Sequence, residues 1–166
     1  MTARHQRALL DTSVVIDYPV VTVAQHAEAA AVSAITLAEL SYGLHTPDPL
    51  VNAAREQRYQ WIVSTFDAIP FGPEAARTYG ALCANVRSAG RDSKPRRVDL
   101  LIAAIAVTVG LPLLTRNPAD FRGIHDALVV ISSPEGAAQG GVLWGTRKQL
   151  PYIMYIIGVL AVAGER

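Results

Sequence analysis

Leu9-Leu10-Asp11-Thr12-Ser13-Val14-Val15-Ile16-Asp17 is an apolar run broken by one carboxylate and two hydroxyls. Ala8 to Leu10 reads as a short buried strand, and Asp11 ends it. Ser13 to Asp17 then predicts a helical turn, stopped near Pro19. A carboxylate held against a core is costly unless it is paired, protonated or bound to a cation. Two other acids share this setting: Glu39 in Ile35-Thr36-Leu37-Ala38-Glu39-Leu40, and Asp99 in Val98-Asp99-Leu100-Leu101-Ile102-Ala103. A fourth polar cluster, Thr115-Arg116-Asn117-Pro118-Ala119-Asp120-Phe121, follows the apolar run Leu111 to Leu114.

Working outward, Val32 to Ile35 reads as a second short strand, and Thr36 to Leu44 as a helix with Thr36 at its N-cap. Asp48-Pro49 is a strong helix start, and the helix it opens runs to about Phe66. Ala68 to Phe71 is a candidate third strand. Gly72-Pro73-Glu74 starts a further helix that ends near Gly90. Arg91 to Arg97 is a polar, basic connection. Val98 to Val109 is an apolar helix closed by Gly110, Leu111 to Leu114 a fourth strand, and Leu128 to Ile131 a fifth. Short apolar strands alternating with longer helices predict an α/β fold, a parallel sheet with helices on both faces.

The chain has 166 residues, a length typical of one domain with its own core. It is 51% hydrophobic and only 17% charged, which fits a buried sheet covered by helices. A net charge of +1 does not advertise nucleic-acid binding, so local clusters must carry that argument. The single cysteine, Cys83, allows no intrachain disulfide, and no Cys/His spacing resembles a zinc site. A reducing, cytoplasmic setting is expected. Asp11 and Asp17 interrupt any signal-peptide core after the basic N-terminus. Residues 134–166 differ from the rest: a Gly-rich stretch, then an apolar run from Tyr152 to Ala163. That run is shorter than the ~20 residues a membrane-spanning helix needs. A domain over 1–133 with an atypical extension over 134–166 is therefore expected, the extension docking on the domain or on another chain.

In an open parallel sheet, ligands bind outside the carboxyl ends of the strands, and the crossover helices bring their N-termini to the same edge. Asp11 ends the first strand. Glu39 lies in the first turn of the helix after the second, Asp99 begins the helix before the fourth, and Asn117 and Asp120 follow the fourth. The topology places all five on one edge, where carboxylates can hold a divalent metal suited to phosphodiester chemistry. Each has a local alternative. Thr36-Leu37-Ala38-Glu39 is also a capping box, with Glu39 bonding back to Thr36. Asp99 suits a helix start, Asp11 could cap the turn at Thr12-Ser13, and Asn117-Pro118 is a turn signal.

These residues carry a resemblance. Leu9 to Asp17 resembles the opening motif of PIN-domain proteins. Ser33-Ala34-Ile35-Thr36-Leu37-Ala38-Glu39-Leu40-Ser41-Tyr42-Gly43 resembles their second motif, Arg97 to Ala104 their third, and Leu114 to Phe121 their fourth. The order and spacing are similar to those of the VapC branch, the ribonuclease toxins of toxin–antitoxin pairs, over roughly residues 7 to 132. The resemblance implies a three-layer α/β/α sandwich, Mg²⁺- or Mn²⁺-dependent cleavage of RNA, a cognate antitoxin and a homodimer. It implies Asp11, Glu39 and Asp99 as the acidic triad, with Asp11 and Asp99 as the first metal ligands. Thr12, Ser13 and Thr115 become supporting hydrogen-bond partners. The family often has an acid where this chain has Asn117; the alternatives are that Asp120 supplies that charge or that Asn117 binds through its carbonyl or a water.

RNA must be brought to a negative edge by basic groups. Arg91, Lys94, Arg96, Arg97 and Arg116 are the candidates nearest the acids, with Arg55 and Arg58 on the long helix as an extension or a protein contact. The sequence also admits rival readings. An aspartyl-phosphate phosphatase would carry a second Asp where Ser13 stands, and no Gly-rich phosphate loop follows the first strand. A PIN nuclease of RNA processing without an antitoxin, or a catalytically weakened binding module, stays open.

Overall fold

The computed structural model describes residues 4–133. The extension expected over 134–166 lies outside them. Four strands form one parallel sheet: β1 (His5–Leu10), β2 (Ala27–Ala31), β3 (Leu113–Thr115) and β4 (Val130–Ser132), in the order β2-β1-β3-β4. The helices are α1 (Thr12–Val15), α2 (Val20–His26), α3 (Ala34–Tyr42), α4 (Pro49–Thr65), α5 (Pro73–Ser88) and α6 (Arg97–Val109). Short 3₁₀ turns cover Lys94–Arg96 and Pro118–Phe121.

The central strands are short, apolar and fully buried, as parallel strands covered on both faces must be. Their side chains alternate between two cores. Leu9 and Leu113, paired in register, pack with Leu82 and Val86 of α5 and Leu100, Ile102 and Ile105 of α6. Leu10 and Leu114, the next pair, pack with Val14 and Val15 of α1, Val23 of α2 and Ile62 of α4. This makes the three-layer sandwich, with α5 and α6 on one face and α1, α2 and α4 on the other. Gly110 closes α6 at φ 69°, a left-handed conformation that favours glycine.

Three expectations are corrected. The second strand is Ala27–Ala31, not Val32 to Ile35. Alanine is the best helix former, yet Ala27, Ala29, Ala30 and Ala31 pair in register with His5, Arg7, Ala8 and Leu9, so sheet pairing overrides local preference. The expected third strand at Ala68 to Phe71 shrinks to one parallel bridge between Ile69 and Ser33. The described sheet therefore has four strands rather than five. Finally, α3 begins at Ala34 and its N-cap is Ser33, not Thr36. Ser33 Oγ accepts the Thr36 N–H at 3.0 Å, and its hydroxyl lies 2.9 Å from that of Thr36.

The change of cap matters to function, because Glu39 is six residues beyond the cap and has no role in closing the helix start. Ser33→Ala is expected to cost about 1 kcal/mol, the usual value of an N-cap. A shift in the urea midpoint at unchanged slope checks it.

Candidate active site at the carboxyl edge of the sheet

Asp11 leaves β1 and is only 4% exposed. Its backbone N–H is still tied to the sheet through the Leu114 carbonyl, at 2.9 Å. Its Oδ2 accepts two hydroxyls, Ser13 Oγ at 2.6 Å and Thr115 Oγ1 at 2.8 Å. Ser13 comes from α1 and Thr115 from the end of β3, so two neighbouring elements orient one carboxylate. The same hydroxyls reach the fourth motif: Ser13 Oγ accepts the Arg116 N–H at 3.2 Å, and Thr115 Oγ1 accepts the Asn117 N–H at 3.0 Å. Thr115→Val is expected to cost roughly 1.5–3 kcal/mol, the range for a hydrogen bond to a charged group. Urea denaturation of Thr115→Val beside Thr115→Ser, which keeps the hydroxyl, separates that loss from packing.

Glu39 lies one turn along α3 from the buried Thr36, and it accepts a short hydrogen bond from Thr12 Oγ1. Burial raises its pKa, the Thr12 hydroxyl opposes this, and the Asp11 charge adds to the rise. The capping-box alternative is thus replaced by a side-chain bond from α1 to α3. Asp99 sits in the first turn of α6. Its pKa is pushed from 3.8 to about 6, first by burial and then by the charges of Asp11, Asp120 and Glu39, with Arg96 pulling the other way. Four acids from four separate segments therefore share one electrostatic field.

Asn117 precedes the 3₁₀ turn Pro118–Phe121, and its side chain does not cap that turn. Asp120, inside the turn, stands 3.5 Å from Arg96 Nε. Arg91 donates to the carbonyls of Arg122 (2.8 Å) and Ala119 (3.0 Å), and so braces the same turn. Arg116 makes a close ion pair with Asp17. Lys94 and Arg97 are exposed and make no side-chain hydrogen bond or ion pair among the described residues. The five basic candidates thus divide: Arg91, Arg96 and Arg116 are engaged within the chain, whereas Lys94 and Arg97 face solvent. The Asp17–Arg116 pair was missed in the sequence, although both residues lie in the quoted motifs.

A divalent cation suits this donor set. Mg²⁺ commonly takes one or two carboxylates and keeps several waters. Among the described residues, no group of three His, Cys, Asp or Glu side chains forms a ready-made cage. The pair Asp11 and Asp99 fits the first need, and the mutual repulsion that raises Asp99 is what a cation would relieve. Asp11 Oδ2 is occupied by two hydroxyls, and Oδ1 accepts no hydrogen bond among the described residues.

A family profile described as the PIN domain matches residues 8–125. Ribonuclease VapC1 of Rickettsia felis is 31% identical over 138 residues, covering 75% of this chain and 96% of its own length. Ribonuclease VapC of Rickettsia bellii is 37% identical over 79 residues, covering 45% of this chain, and the match spans about half (54%) of that relative. A crystal structure of VapBC-5, a member of the VapBC family of toxin–antitoxin systems from Mycobacterium tuberculosis, superposes with a TM-score of 0.66 at 28% identity. It covers 78% of this chain and 98% of the other. No helix among the described residues is long and apolar enough to cross a membrane. The sheet order, the acids on its carboxyl edge and the span of these matches agree, and the chain belongs to the PIN-domain family, in its VapC branch.

Proposed function

We propose that the protein is a Mg²⁺- or Mn²⁺-dependent endoribonuclease and the toxin of a toxin–antitoxin pair. The observation that carries this reading is the buried Asp11 carboxylate at the carboxyl edge of the sheet, oriented on Oδ2 by Ser13 and Thr115, with Glu39 tied in beside it through Thr12. The names of the relatives support ribonuclease activity, and the VapBC neighbour supports a protein antitoxin as partner. A homodimer follows only from the family resemblance.

In this reading Asp11 and Asp99 would hold the metal, which when bound would supply a lowered pKa for water and charge stabilisation at the phosphorus. Ser13 and Thr115 fix the Asp11 carboxylate by donating to Oδ2. Glu39, oriented by Thr12, accepts a proton from the attacking water or positions it. Its raised pKa keeps it a stronger base than a free carboxylate. Asp120 adds negative charge beside Asp99, and Asn117 offers a neutral amide where an acid is common in the family. Lys94 and Arg97 offer exposed cations to RNA phosphates.

Two measurements test the proposal. Purified protein should cleave RNA with Mg²⁺ or Mn²⁺ and stop when EDTA is added. Mn²⁺ should also raise the melting temperature, by mass action worth about 2.7 kcal/mol at a hundredfold excess over Kd. Cleavage that persists in EDTA, or a melting temperature indifferent to Mn²⁺, would overturn the metal site.

A further inference from the structure

We propose that a cavity beside the acids, lined by Thr12, Glu39, Arg55, Arg58 and Tyr59, is a nucleotide subsite that holds the RNA residue next to the scissile phosphate. It rests on the ribonuclease reading above and extends it to α4, which none of the four acidic motifs includes. The cavity has a volume of about 260 Å³ and is formed between α1, α3 and α4. That volume holds a nucleotide-sized group.

The lining has the chemistry of a nucleotide. Two guanidinium groups against one carboxylate give it a positive balance, although it adjoins the acidic edge. Arg55 Nη1 donates to the Gly43 carbonyl at 2.5 Å, which fixes that guanidinium at the cavity wall. Arg58 Nε is buried and has no hydrogen-bond partner among the described residues. Arg58 as a whole is only partly buried at the cavity wall, a placement from which a guanidinium can meet a phosphate. Tyr59 is partly buried and offers an aromatic face, on which single-stranded bases commonly stack. Thr12 and Glu39 are shared with the acidic site, so a nucleotide here is contiguous with a phosphate held at Asp11 and Asp99.

The experiment uses the full chain and a short 2′-O-methyl oligoribonucleotide, which binds without being cleaved. Anisotropy titrations compare wild type with Arg58→Gln, Tyr59→Leu and Tyr59→Phe, each first checked for a wild-type-like melting temperature. Tyr59→Leu is expected to weaken binding about 5- to 150-fold, the span seen on loss of one stacked base, while Tyr59→Phe keeps it. Arg58→Gln should reduce the log–log salt slope by about 0.7, the value for one phosphate on a single strand. Arg58→Lys retains the charge and keeps that slope, which guards against a folding artefact. In cleavage, Tyr59→Leu should raise KM and blur cleavage-site choice. Affinity, slope and cleavage pattern within twofold of wild type in both Arg58→Gln and Tyr59→Leu overturn the subsite. So does loss of a co-expressed antitoxin from Arg58→Gln with RNA binding unchanged, which makes the cavity a protein contact. Either result leaves metal-dependent cleavage by the wild type intact, whereas failure of the ribonuclease reading removes cleavage from the wild type itself.

Discussion

Asp99→Asn is expected to abolish RNA cleavage and to raise the melting temperature of the metal-free protein. The two effects have one cause. Asp99 is partly desolvated and repelled by Asp11, Asp120 and Glu39, which pushes its pKa to about 6. In the unfolded chain it titrates at 3.8. Between these values the folded state binds more protons than the unfolded state, so stability falls as pH rises through the window. Stability from this residue is fully present below pH 3.8 and is lost above about 6. At pH 8 the charged Asp99 therefore opposes folding, and a neutral amide of the same shape removes the penalty. Discounted for partial exposure, the gain is about 1 kcal/mol, or roughly 3 °C for a domain of this size. The amide cannot replace the carboxylate on a cation, so cleavage should drop by about a thousandfold or more, and the Mn²⁺-induced rise in melting temperature should vanish. A calorimetric scan at pH 5 and pH 8, with and without Mn²⁺, checks each part. An Asp99→Asn protein that melts lower than wild type at pH 8 without metal would contradict the electrostatic account. One that still cleaves would contradict the site.

The positions of Asp11 and Asp99 were legible in the sequence because each depends on local signals. The buried apolar end of β1, Ala8 to Leu10, stops at Asp11, and an apolar helix closed by Gly110 starts just before Asp99. The three-layer architecture was legible for the same reason. Glu39 was less so. Both Ser33 and Thr36 are cap residues by type, and only the long-range bridge from Ser33 to Ile69 shows which one ends the extended segment. Ala27–Ala31 was illegible as a strand because its local preference is helical and its pairing partner lies twenty-two residues earlier, at His5. The basic candidates were found by proximity in sequence, which cannot say whether a guanidinium is spent on a carbonyl, as Arg91 is, or on a carboxylate, as Arg116 is. Arg58 and Tyr59 join the site only through the packing of α4 across α3, a contact no local pattern reports.

Phe121→Ala should be the most destabilising single change in the fourth motif, costing about 3–5 kcal/mol as large-to-small aromatic substitutions in cores do. Phe121 is 1% exposed and belongs to the core formed with α5 and α6. It is also the residue directly after Asp120, at the end of a 3₁₀ turn with few internal bonds. That turn is held from outside by Arg91 on the Ala119 and Arg122 carbonyls and by Arg96 beside Asp120. From inside, it is held by the Phe121 ring. Removing the ring leaves a cavity in the core under the turn that carries Asp120, so the substitution should loosen the acidic edge as well as the core. Where a small domain has only 5–15 kcal/mol in total, the variant should unfold at a markedly lower urea concentration. At low temperature the folded fraction should show weaker Mn²⁺ binding than wild type. Phe121→Leu fills most of the space and should restore both properties. Arg91→Ala, which cuts the outer brace at the surface, should cost far less stability while still weakening metal binding. If Phe121→Ala unfolds within 1 kcal/mol of wild type, the ring is not what anchors the fourth motif, and the geometry of Asp120 must be set by its arginines alone.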